Sequence, residues 1–171
     1  KAVRCFLGTE AAGQIVIGST GTDIMFRFAH TILSQSQGGS VVSSLLEHAA
    51  SHDAAGYWAQ ALDFEQINIP LPADTAIVGA QDYAAAVRAD TVLATVIHTS
   101  HVSGMRVDVP AIVSAIRTRA PQCYILCDGI QHAAHGPVDV ANYGVDAYIY
   151  SPYKAFSHRS GAFGWINDRL K

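Results

Sequence analysis

Charge is scarce in this chain of 171 residues: Lys, Arg, Asp and Glu make up 15% of it, against roughly 25% in an average soluble domain. A surface so poor in charge is expected to be covered in part by another subunit or another domain. Basic residues are not in excess either. The 11 Lys and Arg are scattered among 14 Asp and Glu, for a net charge of -3. No basic stripe exists to neutralise a run of phosphates, which argues against a nucleic-acid partner. Long apolar runs are missing: no stretch reaches the roughly 18 residues of a membrane span, and the opening KAVRCFLGTE lacks the apolar core of a signal peptide. The expectation is a soluble, cytoplasmic protein with no membrane partner. Cysteine is sparse, at three residues and no CxxC pair. Cys123 and Cys127 fall in one expected strand, roughly 13 Å apart by its rise per residue, which is beyond the reach of a disulfide. They read as small buried hydrophobes in a reducing compartment.

Half of the chain is hydrophobic, enough at this length for a single substantial core. Lys1 stands where a natural start would carry Met, and the first residues read as the end of a helix running into Gly8. The chain is therefore expected to be the core portion of a larger protein. Short apolar strands then alternate with helical patterns. QIVIG at 14–18 is followed by a helix from about Thr22, with Met25, Phe26, Phe28, Ala29, Ile32 and Leu33 on its buried side. The strand SVVSSL, a stretch with Tyr57 and Trp58, the strand DFEQINIP and a helix over 82–89 come next. TVLATVIH reads as a fully buried strand, and a helix spans Val109 to Arg119 with Pro110 near its start. CYILCD, AYIYS and GAFGWIN complete the strands. This alternation predicts an α/β fold, a mostly parallel sheet sandwiched by helices, whose ligands bind at the carboxyl ends of the strands.

Those ends carry the chemistry. Asp128 closes an apolar strand, Gln131 follows it, and Lys154 comes just past the next strand. A lysine amine and a carboxylate on one rim are what pyridoxal phosphate (PLP) requires: an amine for a Schiff base, and a carboxylate to hold the pyridine nitrogen protonated. Taken singly, such residues are usually a solvated Lys and a loop-capping Asp; it is their joint placement that is informative. At the other end of the chain, G18-S-T-G-T-D23 follows a strand and opens a helix. Free N–H groups and the helix dipole favour a phosphate there, with Ser19, Thr20 and Thr22 able to add hydroxyls. The plainer account of this segment is Thr22 as an N-cap with no ligand.

The run C-D128-G-I-Q131-H-A-A-H-G-P-V-D139, followed by Y-S151-P-Y-K154, resembles the core of class V aminotransferase-type PLP enzymes, which include cysteine desulfurases, isopenicillin N epimerase-like proteins and kynureninase. The resemblance implies the large domain of a fold type I PLP-dependent transferase over 1–171, with an N-terminal segment and a C-terminal small domain outside the chain. It assigns Asp128 to the pyridine nitrogen, Gln131 to the phenolic oxygen, Lys154 to the Schiff base and Ser151 to the phosphate. Thr20, Gly21 and Thr22 match the phosphate-cradling turn, and His48, after Glu47, is similar to the imidazole that stacks on the cofactor ring. It further implies an amino-acid substrate and a homodimer with active sites near the interface.

Three departures stand out. Tyr153 replaces the His that often precedes the lysine, although a phenol can still bond a phosphate. In H98-T-S-H101-V-S-G104 a His stands where relatives carry Asn, so His101 or Ser100 must take over its contact with the cofactor. The substrate-clamping arginine and the desulfurase cysteine of relatives belong to the small domain. Two rival readings are a non-catalytic module that keeps the PLP fold and a metal-dependent hydrolase. The latter would draw on His48 with His52, or His132 with His135 near Asp128.

Overall fold

The structure, a computed structural model, describes residues 1–9, 13–73, 75, 77–158 and 161–171. After a short helix α1 (Ala2–Phe6) come β1 (Gln14–Gly18), α2 (Gly21–Ser34), β2 (Ser40–Ser44), α3 (Ala49–Ala61) and β3 (Glu65–Ile69). Then follow α4 (Ala80–Ala86), β4 (Thr91–Ile97), α5 (Val109–Arg119), β5 (Tyr124–Asp128), β6 (Ala147–Tyr150) and β7 (Ala162–Ile166). The strands form one sheet in the order β1-β7-β6-β5-β4-β2-β3. Pairing is parallel from β3 through β6, whereas β7 lies antiparallel to both β6 and β1. Every strand except β7 therefore ends on the same rim.

Side-chain alternation along the strands feeds two apolar layers. Ile125, Cys127 and Tyr148 pack on one face of the sheet with Tyr83 of α4 and Ile112 and Ile116 of α5. Leu126, Ala147 and Ile149 pack on the other with Ile24, Met25 and Ile32 of α2 and Ala54 and Ala55 of α3. Each large apolar side chain withdrawn from water in this way is worth about 1.5–3 kcal/mol, and the two layers fix the rim that carries the site. Helix α5 shows the local logic: Asp108 caps it by accepting the Ala111 N–H at 3.1 Å, and Pro110 sits in its first turn. Val109, Ile112, Val113 and Ile116 form its buried stripe.

Two helices depart from expectation. Helix α4 covers Ala80–Ala86 rather than 82–89. Asp82 acts inside its first turn, accepting the Gly79 N–H at 2.8 Å, and Val87 has already turned to extended backbone. Helix α2 begins at Gly21, one residue before the expected Thr22, because Thr20 caps it. Its buried face includes Ile24, while Phe26 and Phe28 are only half-buried.

The opposite rim is closed by Asp146, fully buried just before β6. Its carboxylate accepts bonds from Arg117 at 2.6 Å, Arg169 at 3.0 Å, Asn167 at 2.8 Å and the Ile125 N–H at 2.9 Å.

Candidate active site

At the carboxyl rim a cavity of about 390 Å³ opens among Ser19, Thr20, Gly21, Thr22, His48, Ala50, Ile97, His101, Asp128, Ile130, Gln131, Ser151, Tyr153, Lys154 and Gly161. That volume suits a small ligand. The loops after β1, β2, β4, β5 and β6 all contribute, so the site is assembled by the topology.

Lys154 sits in a 3₁₀ turn, Pro152–Ala155, directly after β6. Its Nζ donates to Gln131 Oε1 at 3.2 Å. Asp128 is nearly buried at the end of β5. One carboxylate oxygen accepts the Ile130 N–H at 2.9 Å and the other accepts the Ser51 hydroxyl at 3.0 Å. Ser51 lies in the first turn of α3 and is a supporting residue that sequence reasoning missed; 77 positions separate the partners, so no spacing signals them. Gly129 has no room for a side chain: a Cβ there would stand 2.0 Å from the Tyr148 ring.

Across the cavity, α2 points its amino terminus inward. Thr20 Oγ1 accepts the Asp23 N–H at 3.0 Å, and Ser19 donates through its N–H and hydroxyl to Asp23 Oδ2. The N-cap is thus Thr20, correcting the assignment to Thr22, which is exposed on the cavity wall. Gly21 is buried, and a Cβ there would meet Ile130 at 2.3 Å and Ser151 Oγ at 3.2 Å. A side chain at this position would have to displace the Ile130 tip and crowd Ser151, so glycine suits the close approach of the helix start to the β5 and β6 loops. Ser151 is itself buried on the cavity wall.

His48 caps α3, its Nδ1 accepting the Ala50 N–H at 3.0 Å, which holds the ring at the rim. His101 meets it edge-on, ring centroids 4.6 Å apart. Burial, reinforced by His48 and Lys154, lowers the His101 pKa. Of the two candidates to replace the Asn contact, His101 lines the cavity. Ser100 is buried in its own loop, its hydroxyl accepting the Val102 and Ser103 N–H groups at 3.2 Å. Tyr153 is half-exposed at the mouth.

The histidine spacings of the hydrolase reading do not converge. His52 is hydrogen-bonded to Asn68 and Asp53. His132 is buried against His98, 3.5 Å between ring centroids, and bonded to Thr99. Among the described residues no group of three or more His, Cys, Asp or Glu is arranged to hold a metal ion.

The donor set fits PLP. Free amide groups at a helix start and Ser151 suit a phosphate, Lys154 offers an amine, and Asp128 supplies a carboxylate at the floor.

Comparison with known proteins gives the family: the model for aminotransferase class-V matches residues 1–159. The chain belongs to the class V aminotransferase family. Among curated members, cysteine desulfurase IscS of Photorhabdus laumondii is 26% identical over 141 residues, covering 81% of this chain and 33% of that protein. The cysteine desulfurase-like protein ustD of Aspergillus flavus is 37% identical over 71 residues, 42% of this chain and 16% of that protein. This class V chain spans about a third of the length of the cysteine desulfurases it matches. Among solved structures, cysteine desulfurase CsdA of Escherichia coli superposes with a TM-score of 0.87 at 20% identity, over 98% of this chain and 42% of that one. Aspartate aminotransferase of Thermus thermophilus gives 0.75 at 19% identity, over 98% and 46%. The fold is therefore the fold type I architecture, a mostly parallel sheet with helices, that the class V resemblance implies.

Proposed function

We propose that this protein is a PLP-dependent enzyme acting on an amino acid, of cysteine-desulfurase-like type, with Lys154 as the residue that holds the cofactor. The observation that carries this reading is one cavity lined by the Lys154 amine, its partner Gln131, the buried Asp128 and the amino terminus of α2. The class V family is generally PLP-dependent. When bound, PLP supplies an electron sink that eases bond breaking at the amino acid's Cα.

This chain's residues divide that work. Asp128, locked by Ser51 and the Ile130 N–H, presents a carboxylate to a pyridinium proton. Gln131 holds Lys154 Nζ and would bond the phenolic oxygen. Ser151, Thr20, Gly21 and Thr22 would hold the phosphate, with Tyr153 at the mouth. His48 would support the ring, and His101 would take the place of the Asn. Once the amino-acid substrate occupies the site, Lys154 Nζ is the base placed to move a proton at Cα. The exposed residues Val102, Met105, Tyr153 and Phe156 leave apolar surface on the loops around the mouth, which suits a second copy in a homodimer.

Desulfuration of cysteine is the favoured reaction because the curated relatives are cysteine desulfurases. None of the three cysteines here lines the cavity: Cys5 is exposed on α1, and Cys123 and Cys127 are buried. Burial pushes the Cys123 thiol up to about 12, which keeps it from acting as a nucleophile. The test is borohydride reduction in the presence of PLP followed by peptide mass mapping, together with sulfide and alanine measurement from cysteine. A pyridoxyl label at Lys154 is expected, and a label confined to Lys1 or Lys171 overturns the cofactor assignment. Spectral changes with other amino acids but no sulfide from cysteine reject the desulfurase reading alone.

A further inference from the structure

A buried acid lies behind the cavity wall and has no part in the scheme above. Glu47 is 7% exposed, in the loop between β2 and α3. Pairing of β2 with β4 runs only to Val42 and Ala94, beyond which β4 continues to Ile97 without that neighbour. The Ile97 N–H is taken instead by Glu47 Oε1, at 2.6 Å. The second oxygen, Oε2, is buried with no hydrogen-bond partner. A buried N–H left unpaired is costly, so a side chain that extends the ladder stabilises the strand end. Here that strand end, Ile97, is also cavity wall, and the residue after Glu47 is His48.

We propose that Glu47 is a positioning residue for the cofactor site, a strut that completes the sheet at Ile97 and thereby fixes the His48 imidazole in the cavity. The proposal rests on the PLP reading above. Asp128 and Cys127 from β5 and Tyr83 from α4 face Glu47. Burial, and next the charge of Asp128, raise its pKa well above the ordinary carboxyl value. Burial thus favours the uncharged form of this acid, and the strut needs only its acceptor oxygen.

The strut and the charge separate by substitution in the intact protein. Glu47→Gln keeps an acceptor for Ile97 and stays neutral, so PLP affinity, the visible band of the bound cofactor and its pH dependence are expected to match wild type. Glu47→Leu removes the acceptor. Protection of the Ile97 amide from hydrogen exchange is expected to fall, and PLP to bind about tenfold more weakly, while reduction still labels Lys154. A Leu variant with wild-type Ile97 protection and PLP affinity overturns the strut. A Gln variant that loses affinity or shifts the pH dependence of the band overturns the neutral-acid role and does not depend on the Leu variant folding. A wild type that takes no label at Lys154 overturns the cofactor reading and this proposal with it. Ile97 exchange, which needs no cofactor, tells that outcome apart from a failure at Glu47.

Discussion

The two rims of the sheet handle buried charge in opposite ways. At the amino rim, Asp146 is saturated by two arginines, an asparagine and a backbone N–H. At the carboxyl rim, Asp128 is held by two bonds, but other groups around the cavity are under-partnered among the described residues. Lys154 Nζ has one bond, of 3.2 Å, to Gln131, one oxygen of Glu47 has none, and two histidines meet edge-on beside a cavity. Saturation is what a structural ion network needs, since each unmet bond of a buried charge is a cost. Leaving partners out is what a binding site needs, because the ligand supplies them. The contrast favours the carboxyl rim as the binding end without reference to any relative.

Substitutions on either side sharpen or break this contrast. The largest functional effect is expected from Lys154→Ala: complete loss of the covalent pyridoxyl label, with stability changed by no more than about 0.5 kcal/mol. A marked drop in the unfolding midpoint would make Lys154 structural and collapse the distinction. Asp146→Ala should do the reverse. Denaturant unfolding is expected to show about 3 kcal/mol lost, the low end for breaking a buried pair, because Arg117 and Arg169 are part-exposed and can turn to solvent. Cofactor uptake by the folded fraction should survive.

A smaller effect is expected at His98, which directly follows β4 at the carboxyl rim and packs in the His132–Tyr148 cluster. Burial, then His132, lower its pKa from 6.5 to about 3. The folded state thus binds fewer protons than the unfolded one. The neutral ring contributes stability above pH 6.5 that is lost as pH falls toward about 3. His98→Gln should flatten the acid limb of the stability curve by about 1–2 kcal/mol, and an unchanged limb would show that the ring titrates alike in the folded and unfolded chain, against the lowered pKa.

Much of this architecture was legible in the sequence because it is written in local patterns. Apolar runs with turn residues at their ends gave the strands, and α5 matched residue for residue because Asp108, Pro110 and a clean helical stripe agree. Asp128, Gln131 and Lys154 were readable because each sits within three or four residues of a strand end. What escaped was non-local. Nothing in GAFGWIN distinguishes an antiparallel strand from a parallel one. Ser51 and Glu47 act on partners far along the chain, with no spacing rule to announce them. The choice between Ser100 and His101 turned on which side chain the loop's own amides consume, and that is decided only when the loop is closed. The α4 boundary failed for a smaller reason, since Asp82 bonds backward to Gly79 instead of opening the helix.

The antiparallel strand β7 has one more consequence, in the order of assembly. Among the described residues, strand β1 pairs with no strand but β7, which follows β6 in the chain and also flanks it. The turn after β1 and the Lys154 turn after β6 are thus brought together across a strand that leaves the ribosome after both. Contacts of such long sequence separation close late, because the entropy of the whole intervening loop must first be lost. A nascent chain that has exposed Lys154 but not yet β7 therefore has no closed cavity around it.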